Sequence, residues 1–280
     1  MDLRDELHSY GARALRHVAD LSDGPPVHPS LRVTLNFHPD RINAGRHLLR
    51  ELGDGGIYLS QFVTGTGNGG LTAFPGGDRW VWEQRIFGGC YDEAPPHLRP
   101  VYGALNFRLR PVGGAPRFGS AHLRLTAGAV ARSTFCYPDS YLQPSAFAVA
   151  GRMSLIGLAL ADEQDMLDDY VEAHVHGPVR LDRDVEALVL DPSYRGTEVE
   201  TLAHRLPCPV EWHPGLRLPV AELRRHPEYR GPEFVELGAA IAVGGELTPR
   251  IIGEAVRTGR YEPQDLKRVW HYVARFGGPA

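Results

Sequence analysis

At 280 residues, 42% of them hydrophobic, the chain is long enough for one large or two smaller globular domains with an ordinary buried core. A formal net charge of −4 gives none of the general basic field that favours a nucleic-acid partner. No stretch approaches the roughly 18 consecutive apolar residues of a membrane span, and Met1–Asp20 lacks the apolar core of a signal peptide, so a soluble, cytoplasmic protein is expected; specialised secretion would leave no such mark.

The first predicted element is an amphipathic helix over Met1–Asp20, with Leu3, Leu7, Ala14, Leu15 and Val18 at helical spacing. After the break Asp23-Gly24-Pro25-Pro26, residues Arg32–His38 alternate Val33, Leu35 and Phe37 with Thr34, Asn36 and His38, which is the pattern of a half-buried strand. Pro39 stops the strand, Asp40 is placed to cap the next helix, and Ile42–Leu52 reads as that helix, closed by Gly53-Asp54-Gly55-Gly56. Ile57–Phe62 is the next strand, and it leads into the glycine-rich Thr64–Gly70. Those glycines permit either close approach of backbone to a ligand or a plain turn. Neither a phosphate loop nor a dinucleotide fingerprint is present, so a nucleotide bound here would use the side chains of Thr64 and Asn68 and exposed amides.

A helix is predicted over Asp78–Phe87, then strands over Val101–Leu109, Phe118–Leu125, Ser133–Tyr137, Tyr170–His176 and Val185–Leu190. Helical or irregular segments are expected at 141–169 and 197–206. From Pro219 the pattern turns helical, with Gly238–Val256 and Pro263–Phe276 as candidates. Short strands seldom separated by helices fit a mixed α+β fold better than a parallel βαβ sheet. The expected division is an N-terminal helix (1–22), a core (23–215) and a helical C-terminal segment packed on it (216–280). Cys90, Cys136 and Cys208 lack the paired spacing of zinc knuckles or redox motifs and read as buried thiols.

Most of the chemistry is concentrated in Tyr170–Pro178. Alternation puts Glu172, His174 and His176 on one strand face and Val171, Ala173 and Val175 on the other, so the polar face is expected to line a cleft. A carboxylate and two imidazoles there can stabilise a developing cation, move protons or hold a metal. The spacing of His174 and His176 supports one alternative, a metal-dependent hydrolase, although no further ligand is demanded by spacing and no metal is assigned. Gly119-Ser120 lacks the surroundings of a nucleophile elbow, which disfavours a serine hydrolase.

The motifs Thr34–Arg41, Ser60-Gln61-Phe62 leading into Thr64–Gly69, Arg99–Asn106, Arg117–Ser120 and Glu172–Gly177 resemble a family of bacterial and fungal proteins catalogued as a domain of unknown function, over about residues 30 to 195. That family in turn resembles ADP-ribosyltransferases, including effector-type enzymes. The resemblance implies a pair of small mixed sheets enclosing a cleft for NAD, which is the substrate. It also implies an Arg or His on the first strand, a middle motif and a catalytic Glu on a late strand. His38 or Arg41, then Tyr58, Ser60 and Ser120, then Glu172 stand in that order, with Gln61, Thr64 and Asn68 completing the implied NAD-binding set. By the same resemblance Glu172 is catalytic and His38 anchors hydroxyls. Arg41 meets a phosphate, Tyr58 stacks on nicotinamide, and the acceptor is a protein or small molecule. The usual Ser-Thr-Ser run is missing, and Glu172-Ala173-His174 replaces a two-glutamate signature, leaving acceptor specificity open. A nucleotide-binding module without turnover is the third reading.

Overall fold

The computed structural model describes residues 3–43, 45–65 and 71–279. At its centre is an eight-stranded sheet. In chain order its strands are β1 (Val33–Phe37), β2 (Val101–Leu105), β3 (Ala121–Leu125), β4 (Ser133–Tyr137), β5 (Ala146–Val149), β6 (Val171–Val175), β7 (Val185–Leu190) and β8 (Val210–Trp212). Across the sheet they run β8-β7-β3-β1-β2-β6-β4-β5. Every pairing is antiparallel except β7 with β8. The mixed α+β architecture is therefore as expected; all eight strands join in one sheet rather than a separate pair, with β1 and β2 held together only at Val33–Leu105 and Thr34–Ala104.

Alternation along the strands decides what each face carries. Val33, Leu35, Phe37, Val171, Ala173 and Val175 enter the largest apolar cluster, joined by Leu49 and Leu52 of helix α2 (Leu48–Gly55). Thr34, Asn36, Glu172 and His174 therefore point to the opposite face. There, helices α1 (Leu3–Asp20) and α3 (Asp78–Ile86) bring Ala14, Val18, Trp82 and Ile86 together with Cys136 of β4. Helices α4 (Pro232–Ile241), α5 (Pro249–Arg257) and α6 (Pro263–Phe276) build a further cluster around Val269, Trp270 and Val273. Trp270 Nε1 donates to the carbonyls of Pro116 (3.1 Å) and Arg117 (3.2 Å), tying α6 to the turn before β3.

Several elements differ from the sequence reading for local reasons. Ile42–Leu52 is not one helix: Ile42–Asn43 pairs with Arg46–His47, and α2 starts only where the His47 ring accepts the Leu49 amide. Ile57–Phe62 is strand only over Ile57–Tyr58, because extended Ser60 opens the short helix Gln61–Thr64. Gly238–Val256 is interrupted: Gly244 and Gly245 take positive φ, and extended Thr248 precedes Pro249, which can only begin a new helix. Asp40 does not cap a helix; it pairs with Arg257 of α5 at 3.2 Å. Of the cysteines, Cys136 is buried while Cys90 and Cys208 are half-buried. Among the described residues no helix is long and apolar enough to cross a membrane.

Candidate functional site

A cleft opens on the Glu172 face. Its floor is Thr34 and Asn36 of β1, Tyr102, Gly103 and Ala104 of β2, and Glu172 of β6; its walls include Arg79 of α3, Tyr58, Gln61, Phe118, Asp139, Ser140 and Tyr170. A second recess shares Tyr58, Gln61 and Tyr102 with the first and adds Arg41, Glu51 and Thr64.

Glu172 is only 7% exposed. Its Oε1 accepts from His174 Nε2 at 3.0 Å, and its Oε2 accepts from Ser140 Oγ at 3.0 Å and the Ser140 amide at 3.4 Å. Burial pushes its pKa up, but the His174 ring, Arg79 and the Ser140 hydroxyl outweigh burial and hold it below the ordinary carboxylate range. Cys136 Sγ is a further, weak donor to Oε1 at 3.9 Å, the one contact among the four that a stronger ligand hydroxyl would readily displace.

The two histidines do not face the cleft as the alternation alone suggests. Both are buried in the layer formed by α1, α3 and the residues after α3, with Phe87 edge-on to each ring. Tyr91 Oη and His176 Nδ1 are 2.7 Å apart, His176 Nε2 and Thr134 Oγ1 3.1 Å, and Thr134 Oγ1 and His174 Nδ1 3.1 Å. With one proton on each imidazole, the donors of this series run in one direction: Tyr91 to His176, His176 to Thr134, Thr134 to His174, His174 to Glu172. Burial, with His174 and Arg132 nearby, lowers the His176 pKa to about 3, so that ring is neutral.

Two further charges flank the carboxylate. Arg79 is 3% exposed and stacked on Tyr102, its Cζ 3.9 Å from the ring centroid. Asp139 Oδ2 accepts from Tyr170 Oη; burial, aided by the Glu172 charge, raises the Asp139 pKa against that hydrogen bond. One titratable group is therefore pushed up and its neighbour down within a single cleft.

Of the residues expected in the site, Glu172, Tyr58 and Gln61 line the first cleft, and Arg41 and Thr64 the second. Three lie elsewhere. His38 is half-buried and meets Trp270 edge-on, with ring centroids 5.0 Å apart. Burial, Arg41 and Lys267 lower its pKa to about 3. Ser60 is buried and its hydroxyl donates to the Pro96 carbonyl at 2.7 Å, fixing a turn. Ser120 is fully buried beside Tyr194, while its carbonyl accepts from His213 Nε2 at 2.9 Å. The face it shares with His122 is covered, so this strand is neither exposed nor an active-site strand of the cleft. Asn68 lies outside the described residues.

Sequence reasoning missed Arg79, Tyr102, Asp139, Ser140 and Tyr170. A Pro-Asp-Ser turn closing the strand before β5 is a usable signal for Asp139 and Ser140; nothing in its own neighbourhood marks Arg79. As for metals, His174 and His176 are joined through Thr134, and the one trio among the described residues with ligand atoms within 4.8 Å of one another is Cys136, Glu172 and His174.

A family model described as a protein of unknown function (DUF3626) matches residues 32–164 and 152–275. No curated protein matches the chain.

Proposed function

The chain belongs to the DUF3626 family, whose function is unknown, and from that premise we propose that it is an NAD-dependent mono-ADP-ribosyltransferase acting through Glu172. The observation that carries this reading is a buried carboxylate held ionised by His174 and Ser140 at the floor of a cleft that shares Tyr58, Gln61 and Tyr102 with a second recess. Breaking the bond between ribose C1′ and nicotinamide sends the bonding pair out with the leaving base and develops positive charge on the sugar. A preorganised carboxylate that accepts a hydrogen bond from a ribose hydroxyl stabilises that charge. Water or a protein or small-molecule acceptor then bonds to C1′ and gives up a proton. The aromatic walls suit a stacked base, with Tyr58 lining both recesses.

The test is nicotinamide release and ADP-ribose transfer by the purified protein. Glu172→Gln keeps the shape and removes the charge; turnover should fall about 10²–10³-fold, as when one electrostatic contact is deleted from a preorganised site. NAD should still raise the melting temperature of the variant through linkage. Unchanged turnover rejects the assignment, and NAD binding without any release of nicotinamide points to a binding module.

A metal-dependent hydrolase is the second reading, favoured by the Cys136, Glu172 and His174 trio rather than by His174 with His176. Stoichiometric zinc in the purified protein, lost in Cys136→Ser, would support it; a metal-free preparation with full activity would dismiss it.

A further inference from the structure

Arg79 has an unmet need. Among the described residues its Nε and Nη1 have no hydrogen-bond partner although the side chain is 3% exposed. Burying an unpaired charged group is costly, and buried polar groups in native proteins are overwhelmingly paired.

The carboxylates whose charges reach it are committed to other donors. Glu83 accepts from Arg99 Nη1 at 2.6 Å and from Tyr102 Oη at 3.0 Å, and Glu172 takes the protons of His174 and Ser140. Burial works against the guanidinium's charge, but Tyr102, Glu172 and Glu83 outweigh it and raise its pKa. Tyr102 covers one flat face of it, which leaves the in-plane N–H edge for a partner, and Arg79 lines the cleft itself. A charged guanidinium with unpaired N–H donors in a desolvated pocket is suited to phosphate or carboxylate oxygens.

We infer that Arg79 is an anion-binding residue that takes phosphate oxygens of the cleft's ligand, so that the site selects phosphorylated nucleotides over the corresponding uncharged nucleosides. The identity of the ligand as a nucleotide rests on the proposed use of NAD; the anion chemistry of Arg79 does not.

The experiment measures ADP-ribose and adenosine binding by calorimetry to the wild-type chain, Arg79→Met and Arg79→Lys, alongside nicotinamide release from NAD. ADP-ribose should bind the wild type far better than adenosine does, and Arg79→Met should weaken it about 10–100-fold, the range for a hydrogen bond to a charged group. Adenosine binding should not change. Arg79→Lys keeps the charge without the fork and should recover part of the loss; it also supplies the measurement if Arg79→Met fails to fold. Inorganic pyrophosphate should compete with ADP-ribose in the wild type. Equal affinity of ADP-ribose for wild type and both variants, or no binding to the wild type, overturns the inference. If binding depends on Arg79 while no nicotinamide is released, the anion site stands and the transferase reading falls. If nicotinamide is released with the same KM in wild type and variants, the transferase reading stands and the role of Arg79 falls.

Discussion

A carboxylate withdrawn from water ordinarily gains a proton, and Glu172 keeps its charge only because each oxygen receives a donor from a side chain that is itself fixed. Thr134 is the link that fixes His174, since its hydroxyl spans both imidazoles. Thr134→Val preserves the shape but strands a donor and an acceptor in the interior, so it should cost about 1–3 kcal/mol for each unsatisfied group in urea unfolding. Thr134→Ser should restore most of that loss, whereas a purely steric role would be met by valine. Alternation made the placement of Glu172, His174 and His176 legible in the sequence, because a period of two assigns faces without further information. It did not tell which of the three reaches the cleft, since α1 and α3, which cover the two histidines, arrive from distant parts of the chain. Arg79 was illegible for the same reason: a buried arginine and a solvated one read alike between Asp78 and Trp80, and only Tyr102, Glu83 and Arg99 distinguish them.

At the level of elements, β1 is the strand whose position the cleft most depends on, because Thr34 and Asn36 form part of its floor. Gly119, in the turn before β3, lies so close that a Cβ there would overlap the Phe37 main chain, and its carbonyl accepts from Asn36 Nδ2 at 3.3 Å. Gly119→Ala should therefore push β1 away and cost roughly 1–3 kcal/mol, the range for overpacking. The measurement is thermal unfolding, and a variant as stable as the parent would show that the two segments can part freely. Ser133–Tyr137, Val185–Leu190 and Pro263–Phe276 were readable to the residue, since each combines a clear period with turn residues or proline at its ends. Ala146–Val149 and Val210–Trp212 were not. Both are short sheet-edge strands, specified by the neighbour they pair with more than by their own pattern.

Across the whole molecule, the interior holds several imidazoles that burial keeps neutral. His122, His176 and His271 are all buried, and burial is the first cause that brings each pKa down to about 3. Between that value and the ordinary 6.5, the unfolded chain binds a proton at each site and the folded chain does not, so stability rises with pH across the window and is lost as pH falls through it. At pH 5 each group should cost about 2 kcal/mol relative to pH 7. Unfolding free energies measured in urea at several pH values should show this slope, with Glu172 adding to the loss at still lower pH because its own pKa is depressed. Stability that stays flat from pH 7 to pH 5 would contradict the buried neutral histidines.

The series from Tyr91 to Glu172 also has a second polarity. Were the carboxylate to become an acid, its own hydrogen would be given to His174, and each link behind it would turn round until Tyr91 becomes the receiver. Both rings would then exchange tautomers together. Nitrogen-15 resonances of His174 and His176 thus report the ionisation of a residue that His176 never touches, and they do so without a label on the carboxylate itself.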